Sequence, residues 1–311
     1  MSVFDRKETA ARPLKLRSDG GFRILEIHGT EICEANIDTI PGQIGRLLDS
    51  VKPDLVYLTG DMTAGASNVS ELEKRLDALI GPIEERNLEW THIFGDMDRR
   101  AGPAAEDQLA SYKKYPHCHS IAGPSELDGC GNYILPVLDS RGDPAFVLWG
   151  FDTGCEIGVY EEKYHSPHRA RLASPIYTEH YMDGIHMNQT MWYWHLSQEL
   201  EADYGRKIPG LMFFHTSTQE HTIIPMNERL TGMRGSQDGQ VVCSVVCGGM
   251  WSAVFERKDV QGIYCGHTRR DKNNFVGSYG GIRLGLSPAF KDGEQYYRVF
   301  EFRDGIFSEL F

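Results

Sequence analysis

The chain has no apolar run near the ~20 residues needed to cross a bilayer, so a membrane-spanning helix is not expected. It has no Pro/Ser-rich linker and no internal repeat, which speaks against a string of modules. Positive charge is in the minority: 32 Lys and Arg face 44 Asp and Glu, a formal net charge of −12. A general nucleic-acid binder needs a basic footprint and is therefore excluded, although local charge can still serve a small anion. Paired cysteine motifs are also missing. The seven cysteines are odd in number and scattered, and Cys243 and Cys247 have no second pair at zinc-finger spacing. Reduced thiols in a cytoplasmic protein are the expectation. Residues 1–21 are polar, without the apolar stretch of a signal peptide or anchor, and read as a flexible segment.

What is present suits one large domain. The chain has 311 residues and is 41% hydrophobic, enough for a sizeable core over residues 22–311. Arg23 to His28, Leu55 to Leu58 and Trp90 to Phe94 read as buried strands. Between them, Ile40, Ile44, Leu47, Leu48 and Val51 recur at helical spacing, as do Leu72, Leu76, Leu79, Ile80 and Ile83 behind a Ser70 cap. This alternation predicts parallel strands with right-handed crossovers. Asn132 to Leu138 and Ala145 to Leu148 flank an Arg-Gly-Asp turn and predict a hairpin; Met187 to Asp203 predicts a helix. The Trp and Tyr residues of Met191–His195 read as the apolar face of that helix. Gly210 to His215 and Val260 to Cys265 predict further strands. Antiparallel strands are expected from Gly281 to Phe311, around Lys291-Asp-Gly293. The expected fold class is α/β, a mixed two-sheet β-sandwich flanked by helices in four layers. The long polar connection at about 152–187, with His165 and His168, reads as an insertion that shapes a pocket or a dimer contact.

Five segments stand out because most run from apolar strand to polar loop. They are Phe22–Glu31, Pro53–Asp61, His92–Asp98, Phe213–Glu220 and Gly262–Arg269. Loops at the carboxyl ends of parallel strands are where α/β proteins place their sites. In order and spacing these segments resemble the calcineurin-like metallophosphoesterases, including the purple acid phosphatase-like members. The matching pattern is D-x-H, G-D, G-N-H-D, a lone His, then G-H-x-H. Phe213-Phe-His-Thr-Ser-Thr-Gln-Glu220 and the stretch from Gly248 to Val260 look like the latter branch. The resemblance covers about residues 20–300. It implies two metals bridged by an aspartate, clamping a phosphoryl group and activating water.

The departures from that pattern are grouped. Where the family has Asp and His in its first motif, this chain has Gly29 and Glu31; where it has the last His, this chain has Arg269. By resemblance these belong to one metal position. The other position retains Asp61, Asp96, His215 and His267, all able to ligate. The expectation is one divalent ion, with zinc, manganese and ferrous iron all compatible. Arg269 would supply a fixed cation in place of the lost metal, facing Asp61 and Glu31. A weak second metal on Glu31 and Asp61, with His28, remains the alternative; His28 and Glu31 are equally readable as structural. The family's proton-handling histidine is Met97, whose thioether transfers no proton. Asp98 is expected to serve local structure.

Arg99-Arg100 and Arg269-Arg270 would place four cations near the centre and select a small anionic substrate, or else form ion pairs with Asp98 and Asp271. Thr216 and Thr268 adjoin ligands and could bond a substrate, and His221 could contact one or lie in a solvated loop. Three functions follow: a single-metal hydrolase, a scaffold turned to other mononuclear-metal chemistry such as lyase or oxygen-dependent reactions, or a pseudoenzyme that binds a partner. The oligomeric state stays open, a homo-oligomer included.

Overall fold

The computed structural model describes residues 3–100, 102–155, 182–267, 273–290 and 297–310. Two mixed sheets face one another. The smaller runs β13 (Ile306–Leu310), β12 (Arg298–Arg303), β2 (Phe22–Ile27), β3 (Leu55–Thr59) and β4 (Glu89–Ile93). Within it β2, β3 and β4 are parallel. The larger sheet runs β1 (Leu14–Lys15), β5 (Tyr133–Leu138), β6 (Pro144–Gly150), β7 (Gly210–Phe214), β9 (Val260–Cys265), β11 (Ile282–Leu286), β10 (Asn274–Tyr279) and β8 (Arg234–Ser236). From β6 through β7 and β9 to β11 its pairs are parallel.

Period-2 alternation explains the layering. On β2 and β3, Phe22, Ile24, Leu55 and Tyr57 turn into the space between the sheets, where Tyr57 stacks on Phe213 at 4.2 Å between ring centroids. Leu25, Ile27, Val56 and Leu58 turn the other way, onto helices α1 (Ile40–Val51) and α2 (Val69–Glu84). Both faces are apolar because both are covered. Each of the five α2 core residues, Leu72, Leu76, Leu79, Ile80 and Ile83, is fully buried or nearly so, contributing roughly 1.5–3 kcal/mol. Two short helices follow β4: α3 (Asp96–Arg100) and α4 (Ala105–Tyr112). On the far side, helices α5 (Met187–Tyr204) and α6 (Met250–Arg257) cover the larger sheet. Trp192 and Tyr193 of α5 pack edge-on against Trp149 of β6, as the aromatic run predicted. The result is the expected four-layer α/β arrangement.

Three expectations change. The N-terminal segment is packed rather than flexible: β1 pairs in parallel with β5, and Val3, Ala10, Ala11 and Leu14 are buried. Arg6 reaches Glu199 at 2.6 Å, and Arg17 pairs with Asp54 and Glu301. Four scattered apolar residues form no run in sequence, yet they suffice to fill an edge. The α2 cap is Asn68, which accepts from the Glu71 N–H at 3.0 Å, not Ser70. The C-terminal strands do not form one hairpin about residues 291–293, which lie outside the described residues. Instead β11 belongs to the larger sheet and β12 to the smaller, and β12 pairs with β13 across Asp304-Gly305.

Of the expected insertion, residues 156–181 lie outside the described residues, including His165 and His168. Its flanks meet, since the Asp183 N–H donates to the Cys155 carbonyl at 3.0 Å. Among the described residues no helix is long and apolar enough to cross a membrane.

Candidate metal centre

Five strand ends converge. From the smaller sheet come His28 after β2, Asp61 after β3 and Asp96 after β4; from the larger come His215 after β7 and His267 after β9. The loops after β2 and β3 run side by side, with the N–H groups of Gly29, Glu31 and Ile32 donating to the carbonyls of Gly60, Asp61 and Met62. The turns are tight. Asp61, His267 and Glu31 sit at φ of 56°, 59° and 41°. Left-handed backbone at non-glycine residues is costly and clusters where a site dictates the conformation.

The motif glycines are explained by crowding. A Cβ on Gly60 would lie 2.6 Å from His215 Nδ1, and one on Gly95 would strike the Asp61 backbone and carboxylate. Asp98 ties the same loops together. Its Oδ2 accepts from the N–H groups of Asp61 and Gly95, both at 2.9 Å, and its Oδ1 from the Thr63 N–H at 2.9 Å and hydroxyl at 3.3 Å. Burial and the charge of Asp61 push the Asp98 carboxyl up to about 7, against the pull of the Thr63 and Gly95 N–H groups.

The ligand-capable atoms form two triads that share His215: Asp96, His215 and His267, and His28, Asp61 and His215. Asp96 Oδ1 lies 3.2 Å from His215 Nε2 and 3.4 Å from His267 Nε2; Asp61 Oδ2 lies 3.4 Å from His215 Nε2. Donors about 2.1 Å from one tetrahedral ion stand roughly 3.4 Å apart, so this spacing fits a metal. The other Asp61 oxygen accepts the Met97 N–H at 2.8 Å. Electrostatics point the same way. Burial alone would lower the His215 pKa, yet Asp61 and Asp96 raise it well above its ordinary value, and His215 in turn holds Asp61 well below the usual carboxylate range. Two buried carboxylates demand a positive charge. The proton on His215 stands where a divalent ion's charge would serve.

His28 is buried, with Nδ1 3.2 Å from the Thr59 carbonyl. Burial, with the charge of His215, depresses its pKa to about 3, so it is neutral near physiological pH. Glu31 keeps backbone register with Asp61 but is in neither triad. The two arginines of α3 separate. Arg100 turns back to Asp96, with Nη2 3.3 Å from Oδ2. Arg99 is only 1% exposed, pairs with buried Asp152 and lies 5.0 Å over the Phe94 ring. Successive helical residues point about 100° apart, so one can face the centre while the other faces the core. Arg99 is therefore held in the core by Asp152 and does not face a substrate as the sequence suggested.

His221 is also corrected. It is fully buried, between the Thr218 hydroxyl at 3.1 Å and the Cys265 thiol at 3.5 Å, and burial lowers its pKa to about 4. It neither meets substrate nor lies in solvent. Thr216 is buried as well, its N–H donating to the Thr153 hydroxyl at 3.1 Å. Its loop borders a small recess of about 20 Å³ also lined by Ser217, Ser244, Gly248, Met250 and Trp251. Thr268, Arg269, Arg270 and Asp271 lie outside the described residues. Sequence reasoning left His28 divided between site and structure and did not group it with His215; its position at a strand end, one residue before the altered motif, was the available signal.

No protein-family model matches the chain. A probable inactive purple acid phosphatase from Arabidopsis thaliana, number 14, is 25% identical over 320 residues, covering 91% of this chain and 73% of that protein. A second from the same plant, number 28, is 23% identical over 312 residues, covering 89% and 72%. Among solved structures, a dimetal phosphatase from Danio rerio superposes with a TM-score of 0.63 at 10% identity, over 91% of this chain and 93% of that one. GAP50, described as the anchor in the inner membrane complex of Plasmodium, gives 0.51 at 10% identity, over 93% and 83%. The chain thus has the calcineurin-like metallophosphoesterase fold, and the two plant relatives are purple acid phosphatase-like proteins named as probably inactive.

Proposed function

We propose that this protein is a single-metal hydrolase acting on a small anionic ester. The observation that carries the reading is the Asp96–His215–His267 triad, with its first two members buried and His267 half-buried, and Asp61 beside it, at ligand spacing. Both triads include His215, and one imidazole nitrogen serves one ion, which supports a single ion. Imidazole and carboxylate together suit zinc, manganese or iron(II). Such an ion supplies Lewis acidity and lowers the pKa of bound water.

The protein's own groups set the limits. Arg100, 3.3 Å from Asp96, offers a partly exposed cation to a substrate's negative charge. Arg269 and Arg270 keep their proposed roles as stabilising and binding cations, and Thr216 and Glu31 theirs as site-lining groups. Position 97 holds a methionine, so no side chain there protonates a departing group. Substrates with acidic leaving groups are therefore preferred. Seven free thiols suit a reducing, cytoplasmic setting.

The test is metal content on protein purified without chelator, together with metal-dependent hydrolysis of bis-nitrophenyl phosphate. About one ion per chain and slow turnover support the reading. A bound ion with no turnover would favour the second reading, other mononuclear-metal chemistry on this scaffold, which the methionine at position 97 supports. No ion after reconstitution would leave a binding protein without metal chemistry.

A further inference from the structure

The two triads set this chain apart from the pattern it resembles: the aspartate and histidine of the first motif are gone, while the residue just before them reaches the centre. His28 ends β2, is 2% exposed, and its ring centroid lies 5.3 Å from that of His215. With Asp61 and His215 it forms a group whose ligand atoms all lie within 4.8 Å of one another. We infer that His28 is a third imidazole ligand of the same ion, which would draw together two groups that meet only at His215, namely His28 and Asp61 on one side and Asp96 and His267 on the other. This rests on the metal reading above and goes beyond the four ligands that the motifs supply.

The orientation of the ring supports it. His28 Nδ1 and His215 Nδ1 both lie 3.2 Å from one oxygen, the Thr59 carbonyl. A carbonyl has two lone pairs and can accept from both rings. With a metal's charge in place of the extra proton on His215, each ring would keep its proton on Nδ1 and present the Nε2 lone pair. This is how backbone carbonyls prepare metal-binding histidines. The ring is also fenced from behind: a Cβ on Gly266, in the loop that delivers His267, would overlap the His28 imidazole. The carbonyl holding both rings is itself anchored, because the Thr59 hydroxyl donates to buried Glu26 at 3.1 Å. Gly29, at φ 64°, has Ala289 Cβ 2.8 Å from where its own Cβ would stand. An aspartate is thus sterically unwelcome at the position the family uses, and His28 supplies a donor from the adjacent residue.

Three nitrogen and two oxygen donors shift preference away from magnesium and calcium, towards zinc and the first-row transition ions. The first experiment needs no variant. X-ray absorption on the zinc-loaded full chain counts imidazoles from their multiple scattering, and three are expected. The second compares zinc affinity by chelator competition, and the visible spectrum of the cobalt(II)-loaded protein, for wild type, His28→Gln, His28→Ala and His267→Ala. Replacing His28 should weaken zinc about 10-fold or more, in line with the loss of a ligand or its orientation, and should change the cobalt spectrum. Two imidazoles, with affinity and spectrum unmoved by His28→Gln while His267→Ala abolishes binding, would overturn the inference and leave the metal reading intact. A wild-type chain that binds no ion would overturn both. If His28→Ala does not fold, the imidazole count and the Gln variant still decide.

Discussion

Replacing Asp98 by asparagine should loosen the centre without removing a ligand. The carboxylate accepts four hydrogen bonds: from the N–H groups of Asp61 and Gly95 on one oxygen, and from the N–H and hydroxyl of Thr63 on the other. An asparagine has one acceptor oxygen. In its better orientation that oxygen keeps Asp61 and Gly95, and the amide NH2 faces Thr63. The Thr63 hydroxyl can rotate and accept, but the Thr63 N–H is left buried against another donor, which costs about 1–3 kcal/mol. The surviving bonds lose charge assistance, roughly another 1 kcal/mol. Relief of repulsion with Asp61 offsets part of this, so a net loss of about 2–3 kcal/mol is expected. At roughly 1.5 °C per kcal/mol for a fold of 311 residues, the melting temperature should fall by roughly 3–5 °C. The comparison belongs at about pH 8.5, above the ~7 at which the wild-type carboxyl titrates. Metal affinity should fall too, because Asp98 holds Asp61 and Gly95-Asp96 in one register. An unchanged melting temperature would refute the bond accounting. Complete loss of metal with full stability would mean that Asp98 is itself a ligand.

Four further outcomes are expected. His267→Ala should abolish metal-dependent cleavage of bis-nitrophenyl phosphate; retained full activity would remove His267 from the chemistry. Rates across a series of aryl and alkyl phosphoesters should fall steeply as the leaving group becomes more basic, since Met97 donates no proton, and a flat series would point to a hidden acid. Stability should fall with acid: His92 and His221 are buried neutral, with pKa values lowered by burial to about 3 and about 4 from 6.5. The unfolded chain binds protons below pH 6.5 that the fold refuses, so stability present above 6.5 is lost as pH drops towards 4, by about 1.4 kcal/mol per histidine at pH 5.5. Urea titrations across that range check this, and His221→Gln should flatten the slope. Finally, Gly29→Asp should destabilise the fold without adding a second metal, because the new Cβ meets Ala289 at 2.8 Å on left-handed backbone; two ions per chain in that variant would contradict the steric argument.

Much of this protein was legible along the chain because local rules govern it. Apolar runs marked the strands β2, β3, β4, β7 and β9, and helical spacing marked α1, α2 and α5. The glycines before Asp61, Asp96 and His267 marked the sharp turns, since close backbone approach tolerates no side chain there. The order of the motifs resembles the metallophosphoesterase pattern, so four of the ligand-capable residues could be grouped by that resemblance although they lie on two sheets. Other features depend on neighbours that sequence does not reveal. Arg99 and Arg100 are adjacent and alike, and only the phase of α3 against Asp152 and Asp96 separates core from centre. His221 looked like loop until Thr218 and Cys265 closed around it. The N-terminal segment looked loose until β5 offered an edge. His28 acquired its place from the Thr59 carbonyl, the cleared space at Gly266 and a partner histidine on the opposite sheet. The sequence by itself determined which elements form and which donors reach the edge; only tertiary packing decided which way each side chain turned, because direction is set by contacts between residues far apart in the chain.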